Sequence, residues 1–227
     1  MSMDGSGVTP KIRDHLWLKL TEWCHQAVIE GYRNMIENSV DLREWEEEDI
    51  SAALCLEMEE LAITKSKRIT VVPEFRLYGT KIKTGKQKAK AAERIDFGFV
   101  TWRSNNQKKY FCEAKNLSLK TWIKPKKKTV VDASKYRARY IETGIEKIVF
   151  GKYSSIKGFL IGYIVNGSAK DNISSLNELI QKRNLPPKIG RIDNKMTICG
   201  HAECYFSLNQ KTDHIVHLLH IFLEFDH

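Results

Sequence analysis

Hydrophobic residues recur at helical spacing early in the chain and at strand spacing further along. The 3.6-residue period of apolar side chains predicts a long helix over 11–37 and a second helix over 45–62. Alternating and β-rich segments then predict strands over 69–77, 94–102 and 109–115. Turn residues separate the last two segments, so we expect them to form a β-hairpin. The pattern therefore places two helices ahead of a β-meander.

Helices and strands alternate in the second half of the chain. A helix is predicted over 130–150 and another over 168–183, and the continuous apolar run 158–165 lies between them. A run of this kind is typical of a strand that is covered on both faces. Two more β segments are predicted over 201–208 and 214–225. This order predicts an α/β (α+β) fold, in which helices flank a central mixed β-sheet.

The length and the absence of linkers favour one domain. The chain has 227 residues, and no stretch rich in Pro, Gly or Ser divides it. We expect a single domain over 1–227, with a helical extension over 1–40 and the core over 41–227. No apolar run approaches the ~20 residues of a membrane span, and the polar N-terminus lacks a signal-peptide pattern. Together with five dispersed cysteines, this predicts a cytoplasmic protein that does not bind membranes.

Charge is distributed unevenly along the chain, whose formal net charge is +9. Residues 37–60 contain ten acidic residues and one Arg, whereas 81–128 contain fifteen Lys and Arg and three acidic residues. A local basic excess attracts polyanions, and nucleic acid is the commonest of them. A solvated lysine-rich surface without a partner is the alternative. The residues expected to contact nucleic acid, most of them on loops, are Lys86, Lys88, Lys90, Lys124, Lys126, Lys127, Lys128, Lys135 and Arg139.

Three ionisable residues stand in the two strands of the predicted hairpin. Asp96 lies among apolar neighbours, and Glu113 and Lys115 are two positions apart, so they share one face of their strand. If the strands pair, two carboxylates and an ammonium group meet at the sheet surface. Carboxylates this close repel unless a cation lies between them. Hard oxygen ligands, including the Ala114 carbonyl, suit Mg²⁺ or Mn²⁺. A structural salt bridge between Glu113 and Lys115 is the alternative.

At these residues the sequence resembles the PD-(D/E)XK nuclease superfamily, which has the restriction-endonuclease-like fold. The family pattern is a helix with a Glu, then a strand, then a strand with an Asp, then a strand that ends in E-x-K. The resemblance implies that Asp96 and Glu113 bind Mg²⁺ and that Lys115 assists the attacking water. Ile95 stands where the family often has Pro. The matching segments are 45–62, 69–77, Asp96 and Glu113-Ala114-Lys115.

The motif does not decide which glutamate of the second helix completes the site. Glu46, Glu47, Glu48 and Glu57 all lie on this helix. Glu47 is favoured because it shares the inward-facing stripe of Ile50, three residues further along. A solvated helix start is the alternative for each of these glutamates. We therefore expect Glu47 to be the additional catalytic and metal-binding residue that the resemblance implies.

The resemblance implies a metal-dependent endonuclease that hydrolyses phosphodiester bonds in DNA, as an effector of restriction or antiphage defence. A catalytically inactive nucleic-acid-binding or interaction module of the same fold is the alternative. The joint presence of Asp96, Glu113 and Lys115 favours the enzyme. The sequence shows no ATPase motif and no recognisable specificity domain. We therefore expect an activating or targeting protein subunit, or a homodimer, to provide targeting.

Overall fold

Three helices form the N-terminal part of the structure, α1 (Pro10–Glu37), α2 (Glu47–Glu60) and α3 (Ala62–Lys67). The backbone of Leu61 is extended (φ −62°, ψ 141°), so the predicted second helix ends with α2, and the short helix α3 that follows is not predicted. The chain is described by a computed structural model, which covers residues 10–38, 44–78, 82, 84–86, 88–103, 106–150, 157–183, 188–211 and 214–225.

A seven-stranded mixed sheet lies at the centre of the protein, with the strand order β1-β2-β3-β6-β9-β8-β7. β3, β6 and β9 are parallel neighbours, and the other neighbouring pairs are antiparallel. The expectation of an α/β fold with a mixed central sheet is thereby confirmed. The remaining two strands, β4 and β5, form a separate hairpin. In chain order the strands are β1 (Ile69–Leu77), β2 (Glu93–Arg103), β3 (Asn106–Ser118), β4 (Trp122–Ile123), β5 (Val130–Val131), β6 (Gly158–Asn166), β7 (Ile192–Ile198), β8 (His201–Gln210) and β9 (Ile215–Glu224).

The predicted helix over 130–150 is a composite of three segments. It begins with α4 (Ala133–Arg139), continues through a π-helical stretch (Tyr140–Ile145) and ends with α5 (Glu146–Val149). A π-helical stretch rotates the residues that follow it relative to a regular helix, and such stretches are frequent at functional sites. A last helix, α6 (Ala169–Arg183), connects β6 to β7.

Each face of the sheet carries its own hydrophobic core. The first core lies under α1 and α2, and the second lies under the π-helical stretch, α5 and α6. Alternate residues of β6 belong to opposite cores: Phe159 and Ile161 face the first, and Leu160 and Ile164 face the second. Burial on both faces explains why the sequence of β6 is continuously apolar.

Two parts of the sheet region differ from the sequence-based expectation. β7 is not predicted, because most of its side chains are exposed and they show no apolar alternation. The segment 120–128, for which no strand is predicted, contains β4 and the turn towards β5. Strands of two residues are too short to produce a period of hydrophobic positions. No helix among the described residues is both long and apolar enough to cross a membrane.

Candidate active site

The candidate site residues lie where β2 and β3 separate. Pairing between these strands reaches Phe97 and Cys112 and goes no further, while β3 continues beside β6. The N–H of Ala114 therefore has no β2 partner and donates instead to Asp96 Oδ2 at 2.7 Å. The divergence of the two strands thus opens the sheet at the position where sequence reasoning expected the carboxylates to meet.

The first turn of α2 contributes a second carboxylate to this opening. Glu47 Oε1 accepts from Lys115 Nζ at 2.9 Å, and Glu47 Oε2 accepts from the backbone N–H of Asn116 at 3.1 Å. Residues Glu46 and Asp49 form a capping box that starts the helix at this point. Among the glutamates considered from the sequence, Glu47 is therefore the one that the structure brings to Lys115.

Lys115 lies at the centre of the group. Its Nζ is 2.9 Å from Glu47 Oε1, 3.2 Å from Asp96 Oδ2 and 3.1 Å from Glu113 Oε1, and it also contacts the Ala114 carbonyl oxygen. The Lys115 side chain is only 6% exposed. Burial lowers the pKa of its ammonium group, but the three carboxylates outweigh burial and raise the pKa above the usual value. Lys115 is therefore a cation at neutral pH. We call Glu47, Asp96 and Glu113 the carboxylate cluster.

Glu113 is the most deeply buried member of the carboxylate cluster, with a side chain that is 4% exposed. Its Oε1 is 3.0 Å from Lys147 Nζ in addition to its contact with Lys115. Its Oε2 is buried and has no hydrogen-bond partner. Burial raises the pKa of Glu113, and the two ammonium groups oppose this shift only in part. A buried acceptor without a partner is unusual in native proteins, and it is available to a cation.

The charge and the oxygen ligands of the carboxylate cluster suit a hard cation. Three carboxylates face two ammonium groups, so the fully ionised group carries one excess negative charge. Carboxylate oxygens and a backbone carbonyl are the ligands that Mg²⁺ and Mn²⁺ prefer. Within the described ranges, however, no three His, Cys, Asp or Glu side chains are arranged as a metal-binding group. The carboxylates are arranged around the ammonium group of Lys115 instead.

Sequence reasoning missed Lys147, which contacts Glu113 from α5. Lys147 follows the π-helical stretch Tyr140–Ile145, which changes the direction in which the α5 side chains point. Within that stretch, Gly144 allows close packing, because an added Cβ would lie 3.2 Å from Leu160 and 3.6 Å from Lys115 Cγ. The glycine inside the predicted helix over 130–150 is a sequence signal for this close packing.

Most of the predicted nucleic-acid contacts are exposed, although they lie on three different elements. Within the segment 81–90, the residues 81, 83 and 87 lie outside the described residues. The exposed basic residues are Lys86, Lys88 and Lys90 between β1 and β2, Lys126, Lys127 and Lys128 between β4 and β5, and Lys135 and Arg139 on α4.

Lys124 does not match the expected role as an exposed phosphate contact. Its side chain is 3% exposed, and its Nζ is 2.6 Å from Glu46 Oε1. The same Nζ donates to the carbonyl oxygen of Trp45 at 2.9 Å. Desolvation of an ammonium group requires such partners. Lys124 is therefore a structural residue that connects the β4–β5 hairpin to the start of α2.

Two of the basic elements border the carboxylate cluster. The Glu44 carboxylate accepts from the backbone N–H groups of Lys126 at 2.6 Å and Lys127 at 3.2 Å, which places the β4–β5 turn beside the start of α2. On α4, burial and the nearby carboxylates of Glu46 and Glu47 raise the pKa of Tyr136. Exposed basic side chains from the hairpin and from α4 therefore lie on the rim of the site.

Comparisons with protein-family models, with curated proteins and with solved structures found no match to this chain. The fold and the site define an α/β protein whose central mixed sheet carries a carboxylate–lysine cluster where two of its strands separate.

Proposed function

We propose that this protein is a metal-dependent endonuclease that hydrolyses phosphodiester bonds in DNA. The observation that carries the proposal is the convergence of Glu47, Asp96 and Glu113 on Lys115. The order of helix, strand, Asp-bearing strand and E-x-K strand along the chain also supports a restriction-endonuclease-like core. A role in restriction or antiphage defence, and an activating subunit or second copy, belong to the same proposal and rest on the family resemblance.

Each residue of the cluster has a distinct role in this proposal. Asp96, Glu113, Glu47 and the Ala114 carbonyl would hold Mg²⁺ or Mn²⁺, an ion that activates water and neutralises phosphodiester charge. Lys115 is protonated, so it stabilises negative charge or orients the attacking water, and it does not act as a base.

The inactive binding module is the second candidate, and one observation favours it. The carboxylates surround an ammonium group, which neutralises part of their charge without any metal. In that case the basic rim would still bind nucleic acid, and the cluster would only stabilise the fold.

Cleavage of defined substrates distinguishes the two candidates. The purified protein is incubated with supercoiled plasmid, linear duplex, single-stranded DNA and RNA, each with Mg²⁺, Mn²⁺ or EDTA. The nuclease proposal predicts cleavage of DNA that requires the divalent ion. Tight binding of duplex without any cleavage, in the presence or absence of partner proteins, would support the binding module.

Replacing Lys126, Lys127 and Lys128 together with Gln is expected to weaken the binding of duplex DNA. Each phosphate contact that is lost reduces the slope of log affinity against log salt concentration by about 0.9. Lys124 stays unchanged, because its ammonium group has internal partners. Fluorescence anisotropy at a series of salt concentrations, with EDTA to prevent cleavage, measures both the affinity and the slope.

The matched control removes the same charge from exposed lysines on other elements, Lys170, Lys182 and Lys188. This control lowers the net charge equally, so it separates specific contacts from a general electrostatic effect. The slope of the control is expected to remain close to that of the unmodified protein. Equal slopes in the two triple variants would show that the β4–β5 turn does not contact the phosphates.

A further inference from the structure

The small β4–β5 hairpin exposes an apolar pair. Trp122 is paired with Val131 and Ile123 with Val130. Directly opposite residues of an antiparallel pair project to the same face, and successive residues project to opposite faces. Val131 is accordingly buried, whereas Ile123 is 59% and Val130 is 65% exposed. Ile123 and Val130 therefore form one continuous apolar patch on the outer face, which we call the hairpin patch.

Contacts at both ends hold this hairpin in place. Strands of two residues do not form a stable hairpin on their own. At the turn, the buried ammonium group of Lys124 binds Glu46 Oε1 at 2.6 Å. At the base, Thr121 Oγ1 accepts from the backbone N–H of Ala133 at 3.2 Å, and Arg137 donates to the carbonyl oxygen of Ser118 at 3.0 Å. The hairpin patch is thus fixed relative to both α2 and α4.

The anchoring also fixes the hairpin relative to the carboxylate cluster. Glu46, the residue that pairs with Lys124 of the hairpin, directly precedes Glu47, the cluster residue on α2. The turn itself presents three exposed ammonium groups, those of Lys126, Lys127 and Lys128. An apolar patch beside a basic turn is complementary to a groove that has phosphates along its edges and, at its floor, base edges that include the apolar methyl groups of thymine.

We propose that the β4–β5 hairpin enters a groove of duplex DNA, where Ile123 and Val130 contact the bases while the lysines of the turn contact the phosphates. A two-stranded β-ribbon fits the major groove, and apolar side chains are used by many proteins to contact or separate base steps. The proposal rests on the proposed function, because it assigns duplex DNA as the substrate of the same site.

The test variant replaces Ile123 and Val130 with Thr. Threonine is β-branched and keeps the strand preference of both positions, and both side chains are exposed, so the melting temperature should not change. Duplex affinity is expected to fall about tenfold, because apolar contact area is lost. The salt slope should stay the same, because no phosphate contact is removed. Val130→Thr alone, which is nearly isosteric, should show a smaller loss of the same kind.

The matched control replaces Leu208 and Ile215 with Thr. These side chains are 45% and 54% exposed on β8 and β9. Ile215 lies at the start of β9, whereas the hairpin follows the end of β3. Because β3 and β9 run in the same direction, the two positions lie at opposite ends of the sheet. This variant removes a similar exposed apolar area, and its duplex affinity is expected to equal that of the unmodified protein.

The outcomes distinguish a failure of the hairpin proposal from a failure of the nuclease proposal. If the unmodified protein cuts duplex DNA and the hairpin variant binds and cuts equally well, the groove contact is wrong and the proposed function stands. Loss of binding to anionic lipid vesicles, with unchanged binding to duplex, would assign the patch to a membrane surface and overturn the inference. If the unmodified protein neither binds nor cuts any nucleic acid, both proposals fail.

Discussion

Replacing Lys115 with Met is expected to slow cleavage strongly and to destabilise the protein in metal-free buffer. The buried ammonium group contacts Glu47, Asp96 and Glu113, and its removal leaves Lys147, which contacts only Glu113 among them, as the remaining ammonium group. Removing one partner from a buried ion pair typically costs about 3–5 kcal/mol of unfolding free energy. Loss of a cation beside the reacting phosphate typically costs ~10²–10³ in rate. Urea unfolding in EDTA and plasmid cleavage in Mg²⁺ measure the two effects.

A divalent cation should reverse part of this loss of stability. If Mg²⁺ binds among the carboxylates of the folded state only, it stabilises the Lys115→Met variant by an amount that increases with the logarithm of the Mg²⁺ concentration above the dissociation constant. Lys65→Met is a suitable control, because Lys65 pairs with Glu60 on the exposed surface and such pairs contribute little. An unfolding midpoint of Lys115→Met that equals the control, with or without Mg²⁺, would show that Lys115 does not balance the carboxylate cluster.

Replacing Glu113 with Gln should slow cleavage to a similar extent without destabilising the protein at neutral pH. The amide keeps the shape of the side chain and can still accept from Lys115 and Lys147. It also removes a buried carboxylate whose Oε2 has no partner. Loss of charge complementarity at the reacting centre accounts for an expected rate decrease of about 10²–10³. Plasmid cleavage and urea unfolding are measured on the same preparation.

The stability of Glu113→Gln relative to the unmodified protein should depend on pH. Burial raises the pKa of Glu113 above its ordinary value of 4.5, so the folded state binds more protons than the unfolded state just above pH 4.5. Stability of the unmodified protein therefore falls as pH rises through the interval between the unfolded and folded pKa values. The glutamine variant lacks this decrease, so its relative stability should increase with pH. Urea unfolding at a series of pH values measures this effect. If the difference in unfolding free energy between the two proteins is constant across this interval, the pKa of Glu113 is not raised by burial.

The sequence predicted the parts of the site that depend on strand periodicity. β1 has the bounds that its composition indicated, Ile69–Leu77. Glu113 and Lys115 could be placed on one face because side chains alternate along a strand. Asp96 could be placed near them because turn residues joined two β-rich segments, and the antiparallel pairing of β2 with β3 confirms that hairpin.

The remaining site contacts depend on packing between distant elements, which no local pattern encodes. Lys147 reaches Glu113 from α5, which follows a π-helical stretch that the helical period of the sequence does not predict. Lys124 could not be distinguished from its neighbours in a lysine run, although its side chain is 3% exposed while the lysines of the turn face solvent. The ion pair of Lys124 with Glu46 joins residues that are 78 positions apart. Such contacts are decided by the docking of the hairpin on α2.

A divalent-cation site at the carboxylate cluster is tested most directly by calorimetric titration of Mn²⁺ into the unmodified protein and into Asp96→Asn. Asparagine keeps an oxygen that can accept from the Ala114 N–H, a bond of 2.7 Å in the structure, so the variant should remain folded. The unmodified protein is predicted to bind Mn²⁺, and the variant is predicted to lose this binding, because a neutral amide is a poor ligand for a hard cation. Absence of binding to the unmodified protein, or equal binding to both, would contradict the assignment of this cluster as the metal site.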